Sequence, residues 1–285
     1  MRWTLVLYIL IGLAAVIAAA IAYGMHRWRS ETEELRARLE STQAHSERGS
    51  FHVTELEGLP APVQRYFRAA LTDGQRVVAA VSIQHTGTFN MSETGEDWKP
   101  FTSDQRVITR RPGFDWEARI AMAPGLDALV HDSYIGGEGI LHASVFGLFS
   151  IVDMRGTPEV AQGELMRFLA ETAWYPTALL PSQGVRWEAV DDSSAHVTIE
   201  DGGLSLTMLF RFREDGLIAS ARAENRMRTV GDSAVPTEWE GRWSSYERRD
   251  GMMVPLEGEV AWILPEGRKP YWRGSITSIR HEFAE

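Results

Sequence analysis

The sequence contains no cysteine among its 285 residues. Disulfide bridges, thiolate zinc sites and a catalytic thiol are therefore excluded. The motifs of several common enzyme classes are also missing: there is no Gly-rich phosphate loop, no Gly-x-Ser-x-Gly elbow and no His-Glu-x-x-His pair. We accordingly predict no catalytic residue, no metal site and no cofactor.

Positive charge is scarce outside the N-terminal region. The formal net charge is −10, and residues 51–285 hold 23 Lys+Arg against 34 Asp+Glu. An acidic surface repels phosphate backbones, so we expect no nucleic-acid partner. Hydrophobic residues make up 44% of the chain and include ten tryptophans, which is enough for a sizeable folded core.

One uncharged run stands out near the N-terminus, at residues 3–23. At helical rise, a run of this length spans roughly 30 Å, the thickness of a hydrocarbon core. The alternative is a cleaved signal peptide, because Ala20-Ile21-Ala22 resembles a small-x-small cleavage site. The run is longer than a typical signal-peptide core, and only Arg2 precedes it. We therefore predict an uncleaved membrane anchor through residues 3–23.

Two signals disagree about the orientation of this anchor. Arg27, Arg29, Arg36 and Arg38 follow the run, whereas only Arg2 precedes it, and the positive-inside rule then favours a cytoplasmic body. A very short N-terminal tail before an apolar run is, however, typical of an export signal-anchor. We expect a single-pass membrane protein with its body outside the cytoplasm.

The residues after the anchor suggest a separate short helix. Ser30-Glu-Thr-Glu33 has the pattern of a capping box, and Leu35 and Leu39 form a thin apolar stripe. We interpret this segment as a polar stalk that continues the anchor. The predicted organisation is an anchor at residues 1–29, a juxtamembrane helix and linker at 30–50, and one β-rich domain at 51–285.

Two helices are predicted within the β-rich domain. The first covers residues 59–71 and is amphipathic. The second begins with Thr157 as N-cap and Pro158 as first helical residue. Its apolar side, with Phe168 and Leu169 at the centre, should be buried against a sheet, and Pro176 should end it.

Nearly every other segment after residue 75 alternates apolar and polar residues, the pattern of a half-buried strand. Tight turns such as Asp201-Gly-Gly203 and Glu214-Asp-Gly216 separate the segments, which is typical of hairpins. The sequence therefore predicts a mainly β fold, a large curved antiparallel sheet of about twelve strands. A sheet this wide must curl, so we expect a half-barrel covered by a few helices.

Polar candidates for chemistry are few. His131, Asp132 and His142 fall on neighbouring predicted strands and could supply a base or two metal ligands, and Glu138 could join them in an enzyme. The simpler interpretation is a set of separate, half-exposed strand histidines. Glu164 and Glu171 lie two turns apart on the second helix, where solvation at the helix surface explains them most simply.

Aromatic residues are more numerous than a typical core requires, and they point to an apolar ligand such as a lipid, held between sheet and helix. A completely filled core is the alternative interpretation, in which the protein is a structural or partner-binding envelope protein without a ligand. The residues predicted to bind the ligand are Trp116, Phe168, Trp174, Tyr175, Trp187, Met208 and Phe210.

Several stretches resemble a known family when taken together: residues 59–67, 98–101, 112–120, 132–139, 163–181, 184–188 and 270–274. The most specific is Trp174-Tyr175-Pro176. The chain is similar to a family of uncharacterised prokaryotic proteins, a domain of unknown function that often follows an N-terminal membrane segment. This resemblance implies no activity and no catalytic residue. The predicted architecture also looks like the half-barrel of lipoprotein carrier proteins.

Overall fold

The computed structural model describes residues 2–43, 49–231 and 233–284. Within these ranges the chain forms three α-helices and one antiparallel sheet of thirteen strands, which confirms the predicted fold class. The helices are α1 (Arg2–Ser41), α2 (Ala61–Ala70) and α3 (Pro158–Glu171). Short 3-10 turns follow α3 at residues 172–183.

The strands before α3 are β1 (Val78–Asn90), β2 (Trp98–Ile108), β3 (Gly113–Ala123), β4 (Leu126–Ile135), β5 (Glu138–Val145) and β6 (Phe149–Arg155). Those after it are β7 (Arg186–Asp191), β8 (Ser194–Asp201), β9 (Leu204–Phe212), β10 (Ile218–Val230), β11 (Ser233–Arg249), β12 (Met252–Leu264) and β13 (Gly267–Phe283). The sequence did not predict β6, a short strand at the edge of the sheet.

The sheet order is β6-β5-β4-β3-β2-β1-β13-β12-β11-β10-β9-β8-β7. Two runs of hairpins therefore meet where β1 pairs with β13, the first strand with the last. The sheet curls, and its two halves approach each other at one rim. There Tyr134 Oη donates a hydrogen bond to Asp201 Oδ2 (2.9 Å), and the backbones of Gly137 and Gly202 are so close that a Cβ on Gly202 would clash.

Helix α3 lies inside the curl and begins as predicted. The side chain of Thr157 caps it by accepting a hydrogen bond from the backbone N–H of Val160 (3.3 Å), and Pro158 is its first residue. Phe168 and Leu169 are buried in the core. The helix can touch β5 because residue 139 is glycine, and a Cβ there would clash with the backbone of residues 160 and 161.

Helix α2 fills one end of the curl. Its buried Tyr66 and Phe67 pack against aromatic rings of the late strands: Tyr66 contacts Phe212, and Phe67 meets Trp187 edge to face. These contacts make this end of the concave face a packed core. The rest of the concave face lies beside α3.

Helix α1 differs from its prediction. It is one continuous helix of 40 residues, so the capping-box pattern at Ser30 does not start a new helix and that prediction was wrong. Residues 3–22 are mostly exposed, but the helix meets the body at Gly24, which lies against the backbone of Phe146 and Gly147. From there its C-terminal half runs along the outer, convex face of the sheet.

Apolar and charged contacts both hold this half of α1. Leu35 and Leu39 are buried with four side chains of the outer sheet face: Ala80, Ile108, Ile135 and Ile140. Arg36 Nε lies 3.3 Å from Asp115 Oδ2. The predicted stalk therefore packs on the β-rich body. Residues 44–48 of the predicted linker lie outside the described residues.

Among the described residues, α1 is the one helix that is long and apolar enough to cross a membrane. Its length and composition fit a signal sequence equally well. A cleavage after Ala22 would leave the docked half of the helix on the body, so the docking contacts are compatible with either form.

Candidate functional site

A cavity of about 510 Å³ lies on the concave side of the sheet, between α3 and strands from both halves. This volume falls within the range of about 300–1,000 Å³ that is typical of small-molecule sites. Exposed residues at the ends of two hairpins border it and mark its mouth: Met91, Glu93, Thr229 and Ala234. The alternative interpretation, a completely filled core, therefore does not describe the concave face beside α3.

Aromatic side chains form much of the cavity lining. Trp174 meets Trp243 with ring centroids 5.0 Å apart and an interplanar angle of 66°, and Trp262 stacks on Tyr271 at 5.7 Å. We call the following set the aromatic wall: Trp116, Trp174, Trp239, Trp243, Trp262, Tyr271 and Trp272. Rings of this size favour an apolar guest, because they offer large rigid surfaces for it to cover.

The polar side of α3 faces the cavity. Glu164, Arg167 and Glu171 lie at helical spacing on the side away from the buried Leu165 and Leu169, and all three contribute to the lining. Glu164 and Glu171 are only 5% and 7% exposed, so the expectation that they are solvated at the helix surface was wrong. The helix is buried on both sides, with its apolar side in the core and its charged side in the cavity.

Arg167 is held by two carboxylates and two rings. Its Nη1 lies 2.6 Å from Asp132 Oδ2, and its Nε lies 2.7 Å from Glu171 Oε1. The guanidinium carbon is 4.8 Å from the ring centroids of both Phe114 and Trp116. Burial by itself lowers the pKa of Arg167, but the neighbouring carboxylates raise this pKa by a larger amount. The pKa therefore lies above its usual value, and the side chain stays charged.

Glu164 has a second arginine beside it. Its Oε1 accepts a hydrogen bond from Arg226 Nη2 (3.1 Å), and the Arg226 guanidinium lies over the ring of Trp239 at 5.1 Å. Burial raises the pKa of Glu164 well above its usual value, and the negative charge of Asp132 raises it further. A carboxyl group in this position keeps its proton to higher pH and can then donate a hydrogen bond.

Unpaired polar atoms concentrate at this cavity. Thirteen buried side-chain nitrogen or oxygen atoms in the described part of the chain lack a hydrogen-bond partner, and seven of them belong to lining residues. They are the indole Nε1 atoms of Trp116, Trp174 and Trp243, Nη1 of Arg226, Nε of Arg228, Oδ1 of Asp132 and Oε2 of Glu164. Each such group costs about 1–3 kcal/mol when nothing satisfies it. The cavity thus offers five N–H donors to whatever fills it, whereas the two carboxyl groups can pair with each other through the proton that Glu164 keeps.

The family model for the family of unknown function DUF6920 matches residues 57–281 of the chain. The chain belongs to this family. The match spans nearly the whole β-rich body and confirms the resemblance drawn from the sequence motifs. No curated protein matches this DUF6920 member.

Solved structures with a distant likeness to this fold include the following two. A LolA superfamily protein from Nitrosomonas europaea is 10% identical, with a TM-score of 0.40 over 79% of this chain and 94% of that one. A β-barrel-like protein of the domain of unknown function DUF1849 from Brucella abortus is 11% identical, with a TM-score of 0.20 over 73% of this chain and all of that one.

Two of the seven residues predicted to bind a ligand, Trp116 and Trp174, line the cavity of this DUF6920 protein. The other five lie outside the lining, in the packed core: Phe168, Tyr175, Trp187, Met208 and Phe210. Within that core Phe168 packs on Tyr175 at 5.5 Å, and Trp187 meets Phe210 edge to face at 5.8 Å. The seven residues therefore form two groups, two beside the cavity and five in the packed core.

The charged lining residues were not predicted as a site. Asp132 shares the inward face of β4 with Val130 and Tyr134, so a charge within an otherwise apolar strand face was the available signal. Arg167 carried no comparable signal, because a charged residue on the polar side of an amphipathic helix looks solvated. Only the pairing of the two segments across the cavity reveals the cluster.

The histidine candidates occupy the opposite face of the sheet. His131 on β4 is the direct cross-strand partner of His142 on β5, and both are buried beneath α1, so the expectation of separate half-exposed histidines was wrong. Asp132 points into the cavity and Glu138 binds Arg38 on the outside. His131, Asp132 and Glu138 therefore do not converge in one cleft, as the enzyme hypothesis would require.

Proposed function

We propose that this protein is a membrane-anchored binding protein that holds the acyl chain of a lipid, or a similar amphipathic molecule, in the cavity beside α3. The observation that carries the proposal is the combination of an aromatic wall with five unpaired N–H donors in one cavity. A purely structural domain gains nothing from such a cavity, because each unfilled space and each unpaired polar group lowers stability.

The unpaired atoms favour a ligand that carries oxygen acceptors. Three of the donors are indole N–H groups, and two belong to Arg226 and Arg228. Hydrogen bonds from guanidinium groups to carboxylate or phosphate oxygens are the stronger kind. Glu164, a lining carboxyl group whose pKa is raised chiefly by burial, keeps a proton that it can donate to Asp132 or to the ligand. We therefore infer an apolar chain against the aromatic wall and an oxygen-bearing head near α3.

Retention of the N-terminal apolar helix as a membrane anchor would bring the cavity near a source of such molecules. Residues 3–22 extend from the body as an apolar, mostly exposed helix, which supports a single membrane crossing. We propose that this segment is retained and that the body lies outside the cytoplasm. The intact mass of the purified protein tests retention, since cleavage would remove the first 22 residues. A C-terminal reporter active only in the cytoplasm would contradict the orientation.

Gly163 provides a direct test of the cavity. It lines the cavity on α3, and a Cβ added there would make ordinary contacts with the Arg226 guanidinium at 3.7–3.8 Å. Alanine should therefore fit, whereas leucine should project into the cavity and block it. Both replacements favour the helix, since glycine is worse than alanine there by about 1 kcal/mol.

The experiment compares binding of cis-parinaric acid, a fluorescent fatty acid, by the wild type, Gly163→Ala and Gly163→Leu. We expect saturable binding by the first two, and at least tenfold weaker binding by Gly163→Leu with an unchanged or higher Tm. Competition with palmitate, methyl palmitate and hexadecane tests the head group, and the hydrocarbon should compete least. Equal binding by the wild type and Gly163→Leu would show that the probe binds elsewhere.

A further inference from the structure

A second cluster lies on the other face of the sheet, between α1 and the body. It consists of Glu31 from α1, His131 from β4 and His142 from β5, and one potential ligand atom from each lies within 4.8 Å of the other two. The cluster is separate from the cavity, because successive residues of a strand point to opposite faces.

The Thr32 hydroxyl connects α1 to His131. It lies 3.1 Å from the backbone oxygen of Trp28, to which it can donate, and 2.8 Å from His131 Nε2. In the tautomer with the proton on Nε2, His131 donates to this hydroxyl and its Nδ1 carries a bare lone pair. That Nδ1 is buried and has no hydrogen-bond partner among the described residues.

The surroundings hold the His131 ring in place. It is fully buried and stacks on Trp28 with centroids 4.0 Å apart and nearly parallel planes. In metal-binding histidines the second ring nitrogen usually makes an outer hydrogen bond that fixes the orientation of the ring, and the contact with Thr32 can serve in this way.

Glu31 and His142 already stand at ligand spacing. Glu31 Oε1 lies 3.2 Å from His142 Nδ1. Two ligands on a tetrahedral zinc ion would stand about 3.3 Å apart, given bonds of about 2.0–2.1 Å.

Arg155 is the one positive group that competes for this carboxylate in the described structure. Its Nη2 lies 2.6 Å from Glu31 Oε1, the same oxygen that His142 contacts. Glu31 Oε2 accepts no hydrogen bond from the described residues and remains available. Arg155 also binds Asp153 through Nε, so it keeps a carboxylate partner if Glu31 turns toward a cation.

We propose that Glu31, His131 and His142 bind a divalent transition-metal ion with the ligand preference of zinc, and that this ion fastens α1 to the sheet. Two imidazole nitrogens and one carboxylate oxygen are a common three-residue set for zinc and leave one position for water. Because one ligand comes from the anchor helix and two from the body, the bound ion would bridge them. This inference does not depend on the cavity or its ligand.

The test uses the full-length protein in detergent, freed of metal with a chelator and titrated with Co²⁺ and then Zn²⁺. We expect one ion per chain, seen as visible d–d absorption of Co²⁺ that Zn²⁺ abolishes. Glu31→Gln and His142→Gln should each weaken binding at least tenfold. His196→Gln is the matched control, since His196 lies on β8 near the other edge of the sheet, and it should bind as the wild type does.

Thr32→Val keeps all three ligands and removes only the hydroxyl that orients His131. We expect it to weaken Co²⁺ binding by about 10-fold or more, as loss of an outer-shell partner usually does. This variant keeps the proposal testable if a ligand variant fails to fold. No Co²⁺ binding by the wild type, or equal binding by His142→Gln and His196→Gln, would overturn the site.

The fastening of α1 has its own measurement. Hydrogen exchange of residues 24–41 should slow at least tenfold when Zn²⁺ is added to the wild type, and should not respond in His142→Gln. If Zn²⁺ binds with the expected stoichiometry but leaves exchange of these residues unchanged, the bridging role is wrong.

Discussion

Arg167 Nη1 lies 2.6 Å from Asp132 Oδ2, although 35 residues separate the two in the chain. The pair joins α3 to β4 inside a cavity whose other surfaces are largely aromatic. This ion pair holds the polar side of α3 toward the cavity. The cavity therefore has charged groups beside α3 and the aromatic wall on its other side. That asymmetry is the basis for expecting an amphipathic ligand.

Removing the Arg167 side chain should be strongly destabilising. Arg167→Met leaves the carboxylates of Asp132 and Glu171 buried without their partner, and breaking a buried pair in this way typically costs about 3–5 kcal/mol. The control is Arg186→Met, whose pair with Glu200 is about 60% exposed on both sides and should matter by less than about 1 kcal/mol. Urea unfolding measures both. Similar losses in the two variants would contradict the buried role of Arg167.

Phe168 should contribute to stability without affecting ligand binding. It is buried in the core, outside the cavity lining, so Phe168→Ala should cost about 3–5 kcal/mol in the free energy of unfolding. Phe149 is 67% exposed, and Phe149→Ala should change little. Affinity for cis-parinaric acid, measured on the folded fraction, should stay at the wild-type value. A stability equal to that of Phe149→Ala would mean that α3 does not pack as described.

Two tryptophans distinguish the cavity from the core. The indole N–H of Trp243 is unpaired beside the cavity, whereas that of Trp187 donates to the backbone oxygen of Leu179. Trp243→Phe should weaken fatty-acid binding by roughly 2–12-fold, the equivalent of one hydrogen bond of about 0.5–1.5 kcal/mol. Trp187→Phe should lower the Tm and leave binding unchanged. Weaker binding by Trp187→Phe together with unchanged binding by Trp243→Phe would place the ligand beside α2 and contradict this assignment.

Glu164 should make stability fall as the pH rises. The unfolded chain releases the Glu164 proton near pH 4.5, whereas the folded chain keeps it to higher pH, because burial and the Asp132 charge raise its pKa. Above pH 4.5 the unfolded state therefore binds fewer protons, and the free energy of unfolding decreases with pH. Glu164→Gln should flatten this slope in urea unfolding between pH 4.5 and 8. Glu159→Gln, exposed on the same helix, should keep the wild-type slope, and parallel profiles for the two variants would refute the assignment.

Local patterns were sufficient for most of the fold. The Asp-Gly turns located the late hairpins, and Thr157 with Pro158 located the start of α3, because both depend on backbone preferences of a few residues. Strand β6 was missed since it is an exposed edge strand without a clear apolar face. The capping pattern at Ser30 was misleading because a helix that is already formed continues through such residues.

The candidate site was only half predictable. Aromatic excess signalled an apolar surface, but not which rings would line the cavity and which would fill the core. Trp187 and Trp243 each follow an arginine in the sequence, yet Trp187 lies in the core and Trp243 lines the cavity. The difference arises because α2 packs on the end of the concave face that contains Trp187 and does not cover the end that contains Trp243. The charged cluster depends on contacts between distant segments, such as Glu164 with Arg226, which no single window of sequence contains.

Native mass spectrometry of the full-length protein, purified from the cells in which it is produced, tests the binding function most directly. We expect the wild type and Gly163→Ala to carry an additional mass that matches an acyl-chain lipid, and we expect Gly163→Leu to be free of it. Wild-type protein found only as the bare chain, or an equal additional mass on Gly163→Leu, would contradict a ligand in this cavity.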